Sequence, residues 1–358
     1  MPPLRLFADR AMTDKWAYIP LLYPFFGLQV KDTLPYQRAA FEKHGWDPKY
    51  FTLVEKPEGA EFIVFPHEYF WAKKNRPDLI EQYITFSKKH GVPLLVDALG
   101  DPDGFVDVPD ARVMRNNQYR YELDPKEVTT PYAVEDLLES YCEGIVTPRE
   151  QRDIPSVGFI GFTGYKLPQR VRTIFKELPL RIKTYTQDRR HVTHWGGRFW
   201  REWMMDAFEA SSRVKCNFIK RLSYSGHIKT VAGDMRKNRE EFVQNLLGSD
   251  YGLVIRGDLN SSQRFYEVLA LGRVPVLIDS ECVLPLEDRI DYSEFCLIIE
   301  YKDLKRAPEI LADFHARLSP ETYRSMQLKA REAYEKYFRM DSFSPYLVEL
   351  LRTPVKKS

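Results

Sequence analysis

The run YGLVIRGDLNSSQRFYEVLALGRVPVLID, residues 251–279, passes from an apolar strand through a polar turn into an amphipathic helix, then through Gly272 into a second apolar strand. Strand, turn, helix and strand in this order make half of a nucleotide-binding α/β unit. The turn Arg256-Gly257-Asp258-Leu259-Asn260-Ser261-Ser262 stands at the carboxyl end of one strand and feeds the N-terminus of the next helix. Open α/β sheets bind ligands there, and unpaired N–H groups together with the helix dipole favour phosphate. Arg256 and Arg264 add fork-shaped cationic donors suited to a diphosphate. Glu267 follows Arg264 by three residues, on a neighbouring position of one helix face. The rise from Ser262 to Glu267 is about 7.5 Å, comparable to the span from a diphosphate to its ribose, so a carboxylate there suits both ribose hydroxyls. The same spacing suits a surface i,i+3 ion pair worth tenths of a kcal/mol, and spacing alone favours that pair.

The alternation continues on both sides. Towards the N-terminus, strands are expected at Arg5 to Ala8, Glu61 to Pro66, Val92 to Asp97 and Arg112 to Arg115. Helices are expected at Pro35 to His44 and Asp78 to His90, each closed by His-Gly. The proline-punctuated segment Gly144 to Pro155 reads as an interdomain linker. A second block follows, with strands Ser156 to Phe162, Leu180 to Thr186, Lys215 to Lys220, Tyr251 to Arg256, Val274 to Ile278 and Phe295 to Glu300. Its helices are Leu167 to Leu178, Arg198 to Ser211, Arg236 to Leu247 and Ser262 to Leu271. The expected division is 1–150 and 151–330, with a helical tail, 331–358, free to pack back on the first domain. Two tandem α/β blocks in 358 residues fit two Rossmann-like domains.

Composition narrows the function classes. With 44% hydrophobic and 29% charged residues the chain is globular, and a net charge of +2 gives no global field for nucleic acid. Four scattered cysteines without CxxC spacing argue against a structural zinc and fit a reducing compartment. No stretch approaches the roughly 20 apolar residues of a membrane span, and no signal peptide is readable. A cytoplasmic location is expected.

Residues 251–279, with Leu284-Pro285 and Ile290-Asp291-Tyr292 after them, closely resemble the C-terminal block of exostosin-like glycosyltransferases. That block joins an arginine-bearing strand, a Ser-x-Arg-Phe-Tyr-Glu helix (Ser262 to Glu267 here), a Gly-basic-Val-Pro-Val strand (Gly272 to Val276) and a Leu-Pro loop. Gly158 to Gly164 followed by Arg170 is similar to the strand and glycine turn that open the family's second domain, and Glu61 to Pro66 to a strand of its first. The resemblance implies a GT-B fold, two facing Rossmann-like domains with a cleft between them. It implies inverting transfer from a nucleotide-diphosphate sugar, usually UDP-linked, to a glycan or glycolipid hydroxyl. It also implies donor contacts from Arg256, Gly257, Asn260, Ser261, Ser262, Arg264 and Glu267, joined by Gly161, Thr163, Gly164 and Arg170. Many members carry an N-terminal membrane anchor that is not read here, which leaves peripheral contact with a membrane-borne acceptor open.

Inverting transfer needs a general base and a stabiliser of leaving-group charge. The base is expected from the first domain, where His67 and Glu68 follow the Glu61 to Pro66 strand and Asp97 ends the next; for any one of them a turn or capping role is the reading that residue type favours. No cofactor and no metal is expected, the nucleotide-sugar being a co-substrate. Asp101-Pro102-Asp103 is the rival reading, a DxD of the metal-dependent GT-A type, but Asp-Pro-Asp-Gly is also a strong turn and is read as one. His191 and His194 lack a third ligand by spacing. Trp195 is the candidate for stacking on an acceptor sugar. The alternative class is a non-catalytic nucleotide-sugar- or carbohydrate-binding subunit.

Overall fold

The computed structural model describes residues 1–28, 35–99, 104–164, 166–221 and 233–355. They divide into two compact units. The first comprises Met1–Ala133, Val283–Leu286 and Lys336–Ser358, the second Val134–Cys282 and Glu287–Glu335.

The first unit is built on strands β1 (Leu4–Phe7), β2 (Phe51–Leu53), β3 (Phe62–Val64), β4 (Leu94–Asp97), β5 (Ala111–Arg115) and β6 (Glu127–Thr129). All neighbours are parallel, in the order β2-β1-β3-β4-β5-β6. Every residue of β4 and β5 is buried, as expected of a parallel sheet covered on both faces. Phe65, Tyr69, Leu79 and Tyr83 pack on it from the following segments. Helix Pro35–His44 has the expected bounds, and helix Pro77–His90 starts one residue early. Gly91 caps the latter at φ 65, the left-handed position that glycine takes without penalty. Gly45 does not share that conformation. β2 and β6 escape the pattern because three residues are too few to show a period.

The second unit holds β7 (Ser156–Phe162), β8 (Lys215–Arg221), β9 (Tyr251–Val254), β10 (Val274–Asp279) and β11 (Leu297–Glu300). Its sheet is also fully parallel, in the order β11-β10-β9-β7-β8. The α/β class and the tandem Rossmann-like blocks are therefore as read. One element is not. Leu180 to Thr186 lies in a helix, Leu178–Thr186, rather than a strand. Leu180, Ile182 and Thr184 mimic a period of two, but Pro179 sits in the first turn, where its missing N–H costs nothing, and Arg181 closes an i,i+4 pair with Glu177.

The units also part from the expected division. Residues 134–150 go with the second unit, and of the tail only 336–358 go with the first. The linker segment is not free. Arg149 Nε donates to Asp250 at 2.9 Å, its amide donates to Gln327, and Gln151 donates to the carbonyls of His315 and Leu318. Arg331 stays with the second unit through a two-pronged bond to buried Asp136, at 2.7 and 2.8 Å, and a third to the Ala270 carbonyl at 2.7 Å. That last bond holds the end of helix Gln263–Ala270, which carries the residues considered next.

Candidate functional site

In the second sheet the chain winds outward in both directions from β7 and β9, so the strand order reverses between them. In doubly wound sheets ligands lie outside the carboxyl ends of such a pair. Those ends are Phe162 to Gly164 and Ile255 to Ser262. Glycine sets how closely the layers approach. A Cβ on Gly252 in β9 would come within 2.5 Å of Val268, so this glycine lets the helix settle on the strand. A Cβ on Gly197 would fall 2.0 Å from the Gly257 carbonyl, so the start of helix Gly197–Glu209 rests against the turn itself.

Arginines from three elements collect there. Arg264 lies with its guanidinium 3.9 Å from the Phe159 ring centroid and Nη2 donating to the Ile160 carbonyl, while Nε is closed off from solvent with no partner. Burial, followed by the charges of Arg201 and Arg239, lowers its pKa to about 9 against the pull of Glu267. Arg201, one turn into helix Gly197–Glu209, donates to the Phe162 carbonyl at 2.8 Å, and its Nη2 lies 3.3 Å from where a Cβ on Gly257 would stand. Arg198 covers the Phe162 ring at 4.1 Å. Arg256, 3% exposed, turns back on its own loop, donating to the carbonyls of Gly257 and Asp258. These two bonds hold the turn together. Helix Gln263–Ala270 has no side-chain cap, Ser262 supplying only its N-cap position. The Phe265 amide donates to the Ser262 carbonyl at 3.1 Å, and the dipole of this uncapped helix end favours an anion.

Glu267 does not pair with Arg264. Its Oε1 accepts from Arg239 Nη1 at 2.6 Å, and Arg239 Nε is bound in turn by Glu135 Oε2 at 3.1 Å. Both carboxylates are buried. The surface i,i+3 pair that spacing favours is absent, and a carboxylate–arginine–carboxylate chain takes its place. Asn260 is fully buried and accepts from Ser280, which ties the turn to the end of β10 rather than presenting an amide outward. Gly161 is a ladder residue of β7 in register with Lys220, and the Thr163 amide is already engaged, donating to the Arg221 carbonyl. Gly164 takes φ 74. Exposed Arg170 lies 3.4 Å from Glu202, on the same helix as Arg201.

The other candidates belong to the first unit or to the core. His67 is fully buried: Nδ1 meets the Ala17 carbonyl at 3.0 Å and Nε2 accepts from the Asp14 amide at 2.9 Å. Accepting a backbone N–H makes Nε2 the unprotonated nitrogen and occupies its lone pair, and burial lowers the pKa further, so His67 is not a base in this conformation. Glu68 caps helix Tyr69–Asn75, its two oxygens taking the Phe70 and Trp71 amides. Asp97, at the end of β4, is different. It is 2% exposed, one oxygen accepts from the Leu99 amide, and the other has no partner. Burial, opposed by that bond and reinforced by the charge of Glu68, lifts its pKa to about 7. Trp195 is no platform for a sugar: it is 5% exposed, its indole N–H donates to Thr184, and Arg181 covers its face at 4.0 Å. Asp101 and Asp103 lie outside the described residues.

Arg201, Arg239 and Glu135 were not read from the sequence. Each sits among the many charged residues of amphipathic helices or loops, and only their convergence in space separates them from solvated neighbours.

The Exostosin GT47 domain family matches residues 171–314, a span containing the turn, the site helix and β8 to β11. Over 102 residues the chain is 33% identical to an Exostosin-1 homolog of Caenorhabditis elegans, covering 28% of this chain and 26% of that protein. Exostosin-1 of Drosophila melanogaster is 30% identical over 101 residues, 28% of this chain and 13% of that one. The chain thus matches about a quarter or less of the length of these relatives. Among solved structures, Anabaena Alr3699/HepE in complex with UDP and glucose is 10% identical, over 83% of this chain and 79% of that one, at a TM-score of 0.36. Residues 171–314 of this chain are thus similar to the Exostosin GT47 domain.

Proposed function

We propose that this chain is an inverting glycosyltransferase that moves a sugar from a nucleotide-diphosphate donor, UDP-linked, to a hydroxyl of a glycan or glycolipid, without a metal ion. The observation that carries this is the gathering of Arg201 and Arg264 around an uncapped helix N-terminus, at the point where the second sheet reverses its strand order, within the exostosin-like segment. Cations of fixed position in a half-buried crevice suit the charge that develops on a departing diphosphate. Glu267 has one oxygen on Arg239 and keeps the other for the ribose hydroxyls. In the transfer the acceptor oxygen attacks the anomeric carbon, the bond to the diphosphate breaks, and the hydroxyl proton passes to a base. On this reading Asp97 is the base, because its carboxylate keeps an unpartnered oxygen and its raised pKa suits proton transfer near neutrality. The relatives' likeness and the UDP in the Alr3699/HepE structure motivate the choice of donor for testing.

A second reading has an observation of its own. His67 and Glu68 are both held in local structure. If Asp97 is held as well, the chain is a nucleotide-sugar-binding subunit without transfer activity. The experiment is to incubate the protein with UDP- and GDP-sugars and a panel of oligosaccharide acceptors, and to follow nucleoside diphosphate release. Release that needs the acceptor and survives chelation supports the transferase. Saturable donor binding without release supports the subunit. Activity lost on chelation and restored by manganese would return Asp101 and Asp103 to consideration.

A further inference from the structure

Helix Leu167–Lys176 has no buried residue, and helix Leu178–Thr186 buries only Thr184. Both nevertheless carry large apolar side chains at helical spacing. Leu167, Val171, Ile174 and Phe175 repeat at i, i+4, i+7 and i+8, and Leu178, Ile182 and Tyr185 at i, i+4 and i+7. All seven are exposed, with Leu167 and Tyr185 at 75% and Phe175 at 69%. A ten-residue helix is not held by propensity alone in water, and an apolar face on each of two successive helices marks an interaction surface.

Charge says what the surface fits. Residues 166–190 contain eight Lys and Arg against two Asp and Glu, a local +6 in a chain whose total is +2. Arg172, Lys176, Lys183 and Arg189 are exposed, while Arg181 is turned inward onto Glu177 and Trp195. Apolar residues on one side and solvated cations on the other characterise helices that lie in a lipid–water interface, where headgroup attraction and apolar insertion act together. We propose that residues 166–190 dock the second unit on an anionic lipid surface. The proposal is independent of the donor reading, since it rests on residues with no part in the arginine cluster.

The test is co-sedimentation of the full chain with phosphatidylcholine vesicles, with and without phosphatidylserine. Wild type pellets with the anionic vesicles only, and added salt weakens the binding. Arg172→Glu/Lys176→Glu/Lys183→Glu lowers partitioning roughly 100-fold, since each cation near the surface contributes about fivefold. Phe175→Ser/Ile182→Ser lowers it by about tenfold or more through lost apolar insertion. Both variants keep the wild-type thermal midpoint and donor affinity, because none of these side chains is buried. Failure of the wild-type chain to pellet with anionic vesicles overturns the proposal, and so does binding that neither variant changes. Self-association abolished by Phe175→Ser/Ile182→Ser, without vesicle binding, overturns it in favour of a second copy of the chain.

Discussion

The two sheets have the same strand order around the point of reversal, β2-β1-β3-β4 in one and β8-β7-β9-β10 in the other, yet they treat the crevice at that point in opposite ways. In the first unit it is closed by the chain. His67 beyond β3 is bonded on both ring nitrogens to the loop after β1, Ile19 donates to the Pro66 carbonyl, Trp16 stacks on Trp71 at 4.7 Å, and Arg76 pairs with Asp14. In the second unit the crevice end carries Arg201 and Arg264, which donate to the carbonyls of Phe162 and Ile160, while Arg198 and Arg264 lie over the rings of Phe162 and Phe159. Topology offers a ligand position in both cases. In the first the polar groups at that position are neutral or paired with acids of the same loop, and in the second they are cationic.

The strongest way to break this comparison is through the charge chain behind the second crevice. Arg239→Ala leaves Glu267 and Glu135 buried without their cation and is expected to destabilise the protein by about 3–5 kcal/mol in urea unfolding, with Arg239→Lys recovering part of it. An unchanged midpoint would mean that the chain is held open to water and contributes nothing. Asp97 gives the next effect, on the first-unit side. Its folded pKa, about 7, exceeds the ordinary 3.8, so the folded state binds the proton more tightly. That contribution is complete below pH 4, falls as pH rises through the interval to 7, and is then level, a loss of up to about 4 kcal/mol. Asp97→Asn flattens this slope in unfolding midpoints taken from pH 4 to 8. On the catalytic reading it also abolishes transfer while donor binding persists.

A smaller effect is expected at the second crevice itself. Arg264→Gln should weaken UDP binding by about 2–3 kcal/mol in isothermal titration, the range for a charge-assisted bond, with the unfolding midpoint little changed. Equal affinity in the variant would remove Arg264 from the donor site. The smallest effect separates packing from recognition. Trp195→Phe removes the indole N–H that Thr184 Oγ1 accepts, while that hydroxyl keeps its bond to the Leu180 carbonyl, and is expected to cost about 1 kcal/mol of stability. Acceptor KM stays at the wild-type value, and a large KM increase would restore Trp195 as an acceptor contact.

Where side chains repeat at a local period, the reading was sound. Helix Pro35–His44, strand Ser156–Phe162 and the whole unit from Tyr251 to Asp279 are set by apolar spacing and by glycine and proline, which act over a few residues. The helix Leu178–Thr186 was misread because its alternation is compatible with both periods, and only the lack of a neighbouring strand decides between them. In the site, Arg264 and Glu267 were legible as a pair of neighbours on one helix, but their partners were not. Ile160 and Phe159 lie more than a hundred residues from Arg264, and Glu135 and Arg239 are as distant from each other.

The sequence by itself determined two parallel α/β blocks, a phosphate-friendly turn at residues 256–262 and its likeness to exostosins, because strand periodicity, turn chemistry and helix polarity are properties of contiguous residues. Only the tertiary structure decided that Glu267 belongs to Arg239, that Arg201 joins Arg264, that Trp195 and His67 are internal, and that Asp97 keeps an unpartnered oxygen. Burial and pairing of charges depend on which distant segments the sheets bring together. No local spacing records that.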